Sequence, residues 1–360
     1  MKYPALLSAG KALSDMAAFD TVIDVRSESE FALDHIPGAL NCPVLHDDER
    51  VMIGTLYKQE SPFKAKKIGA ALVARNIASH LETHFADHPK HWRPLIYCWR
   101  GGNRSGAMAH ILAKVGWPAV QLEGGYKAYR QHLLTQIDEM AGRFRFQVVC
   151  GTTGSGKSRL LGTLAAMGAQ VLDLEKLAAH RGSLLGSLPG EPQPTQKMFE
   201  SQIWHTLRQF NPERSVFVES ESKKIGNVRV PETLMESIRA SVCLRINISN
   251  AARVQLLIED YPHLTTNTAQ LMSQLEHLTP LHGREKIASW RALAESGNIP
   301  ALVEALLAQH YDPAYLKSID RNFSGYRHAL QVEIPDITPG TFVLAAEALL
   351  ADEHSENATR

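Results

Sequence analysis

One eight-residue stretch, Gly151-Thr-Thr-Gly-Ser-Gly-Lys-Ser158, constrains the fold of this chain more than any other. It follows the apolar run 144–150 and precedes a segment, 159–168, with the composition of a helix. Its glycines free backbone N–H groups to surround a diphosphate, Lys157 neutralises the terminal phosphate, and the Ser158 hydroxyl suits Mg²⁺. A strand, a phosphate-binding loop (P-loop) and a helix in this order predict an α/β domain with a parallel sheet.

Two carboxylates follow a later apolar run, 215–219, in which Glu219 ends a predicted strand and Glu221 comes two residues on. A P-loop protein places the acid on its magnesium side at this point, normally as Asp, so the glutamates depart from the usual pattern. The predicted diphosphate and Mg²⁺ site therefore consists of Gly151, Gly154, Gly156, Lys157, Ser158, Glu219 and Glu221, with Ser158 as the metal ligand.

A second strand–loop–helix pattern surrounds Cys98, which ends the apolar run 95–97. Arg104 stands six positions later, where a helix is predicted to begin, and Arg100 and Gly101-Gly102 lie between them. The N–H groups of such a loop and the positive end of the helix favour bound anions and a reactive thiolate. Although most single cysteines are structural, this loop predicts that Cys98 is a nucleophile or a carrier of a chalcogen atom.

Alternating strands and helices before residue 140 predict a small parallel sheet covered on both faces. Asp24 and Arg26 fall at the carboxyl end of its strand 21–25, where open α/β sheets place their sites. The break at 141–143 predicts two domains, 1–140 and 143–360, the second ending in a helical part. The predicted class is therefore α/β with two parallel-sheet domains.

The composition describes an ordinary globular protein, with 44% hydrophobic and 21% charged residues. Four cysteines, at 42, 98, 150 and 243, show neither zinc-ligand spacing nor a disulfide framework. Their spacing therefore predicts a protein located in the reducing cytoplasm. No stretch approaches the roughly 18 apolar residues of a membrane helix, so no membrane partner is expected. A formal charge of zero argues against nucleic-acid binding by overall electrostatics but leaves local basic patches open.

The first domain resembles rhodaneses (sulfurtransferases), on Asp24-Val-Arg26, His35-Ile-Pro-Gly-Ala39, the Cys98 loop and Glu123-Gly-Gly-Tyr126. In rhodaneses the cysteine carries a persulfide or its selenium counterpart. The spacing of five residues between Cys98 and Arg104 is longer than usual and is also similar to dual-specificity phosphatases and arsenate reductases. Those phosphatases carry His before the cysteine, where this chain has Tyr97.

Stretches outside both motifs match one family. They are Gly54-Thr-Leu-Tyr-Lys-Gln59, Lys66-Lys-Ile-Gly-Ala-Ala-Leu-Val-Ala-Arg-Asn76, His180-Arg-Gly-Ser183 and Glu219-Ser-Glu-Ser-Lys-Lys-Ile-Gly226. On these residues the chain resembles the bacterial tRNA 2-selenouridine synthases from about residue 19 to about residue 315. The resemblance implies a transferase that converts 2-thiouridine to 2-selenouridine at wobble position 34 of the tRNAs for Lys, Glu and Gln. It implies two steps, S-geranylation with geranyl diphosphate and then replacement of the geranylthio group by selenium from selenophosphate.

The resemblance assigns a role to each motif. The P-loop would bind the allylic diphosphate, with Mg²⁺, and His180 and Arg181 would line that site. Cys98 would carry selenium, Arg100 and Arg104 would bind selenophosphate, and Asp24 or Arg26 would orient the loop. The anticodon loop needs stacking and phosphate contacts, for which the candidates are Trp99, Tyr57, Tyr126, Lys64, Lys66, Lys67, Arg75, Lys223 and Lys224. The enzyme that makes selenophosphate is a further expected partner.

Three functions remain open on the sequence. The first is the tRNA-modifying transferase, and the second is a Cys-x5-Arg phosphatase or arsenate reductase joined to a kinase-like P-loop module. The third is a non-enzymatic, rhodanese-like sensor gated by nucleotide, against which the intact Cys98 loop argues. The sequence does not identify the preferred prenyl chain, a nucleotide at the P-loop, the oligomeric state, or the way in which both sites reach one base.

Overall fold

The computed structural model describes residues 3–183, 185–187, 190–262 and 268–358. For residues 268–269 and 353–358 it describes the backbone alone. The chain divides into two compact units. The first contains residues 1–136 and 194–205, and the second contains residues 137–193 and 206–360.

The first unit is built on one parallel sheet of five strands in the order β1-β5-β4-β2-β3. The strands are β1 (Ala5–Leu7), β2 (Thr21–Asp24), β3 (Leu40–Asn41), β4 (Pro94–Tyr97) and β5 (Val120–Leu122). All four residues of β4 are buried, as expected for the central strand of a sheet covered on both faces. Its carboxyl end leads directly to Cys98, and Asp24 of β2 lies opposite Tyr97.

Helices cover this sheet. They are α1 (Ala9–Ser14), α2 (Glu28–Leu33), α3 (Asp47–Gln59), α4 (Pro62–His80), α5 (Asn103–Val115) and α6 (Gly125–Ala141), with a 3-10 turn at Met16–Ala18 and a π-helical turn at Leu81–Phe85. Helix α4 begins as predicted, because Ser61 caps it by accepting the N–H of Lys64 and Pro62 occupies its first turn.

The second unit contains a second five-stranded parallel sheet, in the order β12-β11-β6-β8-β7. Its strands are β6 (Phe146–Cys150), β7 (Gln170–Leu172), β8 (Val216–Glu219), β11 (Val242–Asn247) and β12 (Leu330–Glu333), and a short antiparallel pair, β9 (Lys224–Ile225) and β10 (Val228–Arg229), stands apart from it. The central strand β6 leads into the P-loop. Because β7 and β8 end at the same edge, Asp173 and Glu219 are brought beside the loop.

All the remaining described helices except α9 lie in the second unit. In chain order the remaining helices are α7 (Lys157–Ala166), α8 (Leu174–Leu177), α9 (Gln196–Leu207), α10 (Glu232–Arg239), α11 (Asn250–Asp260), α12 (Thr268–Glu276), α13 (Thr279–His282), α14 (Arg284–Glu295), α15 (Ile299–Leu306), α16 (Asp312–Asn322) and α17 (Pro339–Ala358), with a π-helical turn at Leu307–Tyr311 and a 3-10 turn at Ser324–His328. Helices α7 and α17 pack together on the sheet, and α12, α14 and α15 form a separate apolar core.

Helix α9 is the exception, because it packs in the first unit although it lies in sequence between β7 and β8. Its apolar side chains Phe199, Ile203 and Trp204 are fully buried. Ser201 Oγ donates to the buried carboxylate of Asp34 at 2.7 Å. The compact units thus differ from the predicted domains, 1–140 and 143–360, in that residues 194–205 pack with the first of them.

The predicted fold class is confirmed, since both halves are parallel α/β sheets and the second ends in a helical part. The sequence of residues 170–175 predicts a strand over the whole run, which is wrong in its second half. Strand β7 ends at Leu172, and the Asp173 carboxylate caps α8 by accepting the N–H of Lys176 at 2.8 Å. Glu175 consequently lies on a helix, facing the P-loop.

Candidate functional site

The Cys98 loop connects β4 to α5, and the thiol is 3% exposed. Ser105, in the first turn of α5, donates its hydroxyl to Cys98 Sγ at 3.2 Å and in turn accepts the side-chain amide of Gln121 at 3.0 Å. A hydroxyl donor of this kind stabilises negative charge on sulfur. The sequence analysis missed Ser105, although its place one turn into the helix after the loop was a usable signal.

Two glycines set the shape of this loop. Gly101 and Gly125 both have positive φ, at 63° and 54°. A Cβ on Gly125 would collide with the carbonyl oxygen of Cys98 and the nitrogen of Gly101. The start of α6 also fixes the loop, because the N–H groups of Tyr126 and Lys127 donate to the carbonyls of Cys98 and Trp99 at 2.8 and 3.0 Å. The close approach of two backbones explains the glycines.

The two loop arginines differ in their surroundings. Arg100 is exposed, whereas Arg104 forms an ion pair with Glu30 at 2.8 Å, and Arg50 contacts the same carboxylate at 3.0 Å. Burial alone would raise the pKa of Glu30, but the hydrogen bond and charge of Arg104 lower it. The prediction that both arginines bind an anion remains a prediction.

Asp24 and Arg26 form a buried ion pair, with Nη2 and Oδ2 2.6 Å apart. The same Arg26 nitrogen donates to the carbonyl of Asp34, and the guanidinium lies over the Tyr126 ring, 4.0 Å from its centroid. Tyr126 in turn stacks on Trp99, with the ring centroids 5.2 Å apart. Arg26, held by Asp24, therefore contacts the ring on which the loop residue Trp99 stacks, and the orienting role of the two residues remains a prediction.

The P-loop is held by contacts on both of its sides. Gly154 and Gly156 have φ values of 77° and 84°, so both need glycine. Lys157 Nζ donates to the carbonyls of Gly151 and Thr152 at 2.6 and 3.4 Å. A Cβ on Gly156 would also collide with the ring of Phe342 in α17. The conformation of the loop and its packing against α17 thus require the same glycine.

Residues from two later helices reinforce the loop, and the sequence analysis did not assign either to the site. Arg253 of α11 is 4% exposed and donates to the carbonyl of Thr153 at 3.0 and 2.9 Å while forming an ion pair with Asp312. The hydroxyl of Tyr315 on α16 accepts the N–H of Gly151 at 2.8 Å. Only the folded chain places these residues here, since more than 90 positions separate each from the loop residue that it contacts.

Four carboxylates, Asp173, Glu175, Glu219 and Glu221, gather beside the P-loop. Ser158 Oγ donates to Glu175 Oε2 at 3.1 Å, and Glu219 Oε1 accepts the N–H of Glu175 at 2.7 Å. Burial, together with the charge of Glu175, raises the pKa of Glu221 to about 8. Burial and the neighbouring charges of Asp173 and Glu175 raise the pKa of Glu219 well above its usual range.

This cluster has the donor set that Mg²⁺ prefers. Glu219 Oε2 is buried and, within the part of the chain that the structure describes, has no hydrogen-bond partner. Among the same residues, no group of three or more His, Cys, Asp or Glu side chains is arranged to bind a metal on its own. The unpartnered carboxylate oxygen fits a Mg²⁺ ion that would take few protein ligands, such as Ser158, and would complete its shell with phosphate oxygens and water.

A cavity of about 690 Å³ opens over the P-loop. His180 and Arg181 line it, as predicted, and so do the aromatic residues Tyr261, Tyr311 and Tyr315. A smaller apolar pocket of about 60 Å³ adjoins it, since the two share five lining residues, which are Thr153, Ser183, Leu257, Tyr261 and Tyr311. The rest of the smaller pocket is aliphatic, formed by Leu185, Leu271, Ile299, Leu302, Val303, Leu306 and Leu307.

The proposed RNA contacts are mostly exposed side chains. Tyr57 is 52% exposed and Trp99 is 39% exposed, and Lys66 is exposed on α4. Three of the predicted lysines have partners. Lys64 pairs with Glu60 at 2.5 Å, Lys67 lies over the Phe63 ring, and Lys223 forms an ion pair with Glu232. Lys224 and Arg75 are exposed. These residues remain predictions.

The fold and the two sites define a class: a rhodanese-type domain with a loop cysteine, joined in one chain to a P-loop domain. Residues 8–132 match the rhodanese-like domain family, and residues 144–289 match the family described as the tRNA 2-selenouridine synthase AAA domain. The second match distinguishes this chain from other combinations of the two folds.

Curated relatives agree with the family matches. The chain is 36% identical over 264 residues to a tRNA 2-selenouridine synthase of Nitrosomonas europaea, covering 72% of this chain and 68% of the relative. It is 31% identical over 365 residues to that of Bdellovibrio bacteriovorus, covering 88% and 95%. For that of Sulfurovum sp. the identity is 32% over 332 residues, covering 84% and 90%. The chain belongs to the tRNA 2-selenouridine synthase family, as its motifs predicted.

Among the described residues, no helix is both long enough and apolar enough to cross a membrane.

Proposed function

We propose that this protein converts 2-thiouridine to 2-selenouridine at the wobble position of the tRNAs for Lys, Glu and Gln. Membership of the tRNA 2-selenouridine synthase family supports the overall conversion. The observation that carries the detailed mechanism is the cavity of the second unit, in which a P-loop adjoins an aromatic and aliphatic wall. Such a cavity suits a ligand with a diphosphate at one end and a hydrocarbon at the other.

The first step is S-geranylation. Sulfur at C2 of the base is a poor leaving group, and alkylation converts it into a good one. The P-loop amides and Lys157 bind the diphosphate of geranyl diphosphate, and to do so Lys157 exchanges its contacts with the Gly151 and Thr152 carbonyls for phosphate oxygens. When Mg²⁺ is bound at Ser158 and the nearby carboxylates, it supplies further charge neutralisation for the departing diphosphate.

The second step is selenation in the first unit. Cys98 carries selenium derived from selenophosphate, and Arg100 and Arg104 bind the phosphate group. Support comes from the hydrogen bond of Ser105 to Cys98 Sγ and from the helix α5 that begins directly after the loop. Asp24 and Arg26 keep Tyr126, and through it Trp99, in place beside the cysteine.

The tRNA presents its unpaired wobble base to these sites. Trp99 and Tyr57 stack with anticodon-loop bases, while Lys64, Lys66, Lys67, Lys223 and Lys224 contact phosphates. Exposure of both aromatic side chains and of the lysines on α4 supports this assignment. The enzyme that makes selenophosphate delivers the selenium donor.

The assignment of geranylation to the P-loop and of selenation to Cys98 can be tested with one variant of each site. The measurement is mass spectrometry of the nucleosides from tRNA modified by each variant. Cys98→Ala should block selenium incorporation and let S-geranyl-2-thiouridine accumulate, because only the second step needs the thiol. Lys157→Ala should lower geranylation at least about 100-fold, because it removes a donor to the departing diphosphate.

Matched controls separate these effects from misfolding. Cys42→Ala removes a fully buried core cysteine, and Lys286→Ala removes a half-buried lysine on α14, outside the P-loop cavity. Both control proteins should produce the wild-type nucleosides. Identical nucleoside profiles for Cys98→Ala and Lys157→Ala would contradict the proposal.

A further inference from the structure

Tyr315 has a place in the cavity that neither the P-loop motif nor the family resemblance explains. Its hydroxyl accepts the N–H of Gly151 at 2.8 Å and is hydrogen-bonded to Ser220 Oγ at 3.0 Å. These two contacts fix the phenol between the first residue of the P-loop and the end of β8. The ring is therefore held rigidly at the wall of the cavity.

The ring face of Tyr315 already attracts a positive charge. Lys157 Nζ lies over it, 5.6 Å from the ring centroid, while donating to the Gly151 and Thr152 carbonyls. Attraction between a cation and the negative face of an aromatic ring is strongest where water is excluded. Because Lys157 must turn to the phosphate oxygens when a diphosphate binds, the face becomes available to another cation next to the phosphate site.

The proposed geranylation creates such a cation. The bond between C1 and the diphosphate oxygen breaks heterolytically, with its electron pair leaving on the diphosphate, and positive charge spreads over the allylic carbons C1 to C3. A lone pair of the thiouridine sulfur then forms the C1–S bond, and the N3 proton leaves to solvent. C1 is bonded to the diphosphate oxygen before ionisation and C3 is two carbons further on, so the charge develops at the edge of the phosphate site.

We infer that Tyr315 is a catalytic residue whose ring face stabilises the allylic cation formed when geranyl diphosphate ionises. This inference rests on the proposed function. Its hydroxyl positions the ring, and its face stabilises charge that is present only in the transition state, so the ring contributes to kcat more than to KM. Among the other cavity tyrosines, Tyr261 already has the Arg181 guanidinium over its face, 4.5 Å from the centroid.

The test varies the ring at position 315 and measures steady-state S-geranylation of 2-thiouridine tRNA. Tyr315→Phe keeps the face and serves as the reference. Replacement of that Phe by its 4-fluoro and 3,4,5-trifluoro analogues reduces the negative potential of the ring face stepwise, while the size and shape of the ring change little. We expect log kcat to fall with each step, and Tyr315→Leu to have a kcat at least about 10-fold below that of Tyr315→Phe.

Binding of inorganic pyrophosphate, measured by calorimetry, reports on the phosphate site alone. Its Kd should not rise across the fluorinated series, since those proteins share the hydrogen-bond donors of the P-loop and a weaker ring face holds Lys157 less. Equal kcat values through the series would overturn the role of Tyr315 while leaving geranylation intact. Absence of geranylation by the wild-type protein would instead overturn the proposed function, and the inference with it.

Discussion

At the scale of single residues, Glu221 is expected to make the free energy of unfolding depend on pH. It lies among the carboxylates Asp173, Glu175 and Glu219, with the Lys157 ammonium as the nearby opposing charge. Burial and the charge of Glu175 raise its pKa from 4.5 to about 8. The folded protein thus retains a proton that the unfolded chain releases near pH 4.5, and the free energy of unfolding falls as the pH rises from about 4.5 to about 8.

Glu221→Gln should remove this part of the pH dependence, because the amide stays neutral. The free energy of unfolding of the wild-type protein, measured by urea titration between about pH 5 and about pH 8, should fall with a slope of about 1 kcal/mol per pH unit that the variant lacks. The variant should consequently be the more stable protein at pH 8. Glu304→Gln, at an exposed position on α15, is the matched control and should keep the wild-type slope. Equal slopes for the wild type and Glu221→Gln would contradict the prediction.

The sequence could identify the residues of each motif but not their partners. The P-loop glycines and Lys157 follow from backbone and charge requirements that are local in sequence. The pairing of Arg104 with Glu30 spans 74 positions, and that of Arg253 with Asp312 spans 59. Such contacts depend on how separate elements pack, which residue spacing within one motif does not report.

At the scale of elements, helix α9 is the segment that departs most from the order of the chain. The spacing of apolar residues over 196–210 predicts an amphipathic helix, and the structure confirms a helix there, which ends at Leu207. The spacing does not indicate which part of the protein covers the apolar face of α9. The covering surface lies in the first unit, where Trp204 packs edge-on against Tyr129 and donates its indole N–H to Gln136 at 2.8 Å.

Trp204→Ala should destabilise the first unit by about 3–5 kcal/mol, because it leaves a large cavity in a fully buried site. Hydrogen exchange followed by mass spectrometry resolves the effect by peptide. The slowest amides of β4 and β5 should exchange at least about 100-fold faster, since their protection reflects the unfolding free energy of the unit.

The control for this change is Leu134→Ala, which truncates a side chain on α6 that is 41% exposed. It should change exchange in the same peptides by less than about threefold. Unchanged protection of β4 and β5 in Trp204→Ala would mean that α9 contributes nothing to the stability of the first unit.

At the scale of the whole molecule, the alternation of predicted strands and helices indicated two parallel sheets but gave the second sheet too few strands. Strand β12 was not identified, because only Val332 of its four residues is buried and its neighbours are polar. It is an edge strand, paired with β11 alone, so little of its sequence is constrained by burial. Central strands such as β4 and β8, buried at every position, were the ones that the sequence located.

The formal charge of zero has a consequence for tRNA binding, because the protein must rely on local groups of basic side chains. Lys66 and Lys67 are exposed on α4 and are proposed to contact phosphates. For a labelled anticodon stem-loop, the double variant Lys66→Ala/Lys67→Ala should weaken binding and reduce the slope of log Kd against log[KCl] by about 1–2, because each phosphate contact releases counterions.

The matched control, Lys286→Ala/Lys317→Ala, removes the same charge from the second unit, at a half-buried position on α14 and an exposed position on α16. Overall electrostatics would make the two double variants equivalent, since each changes the net charge by the same amount. A local phosphate contact on α4 instead predicts a reduced slope only for Lys66→Ala/Lys67→Ala. Equal salt slopes for the wild type and both variants would show that α4 does not contact the anticodon stem-loop.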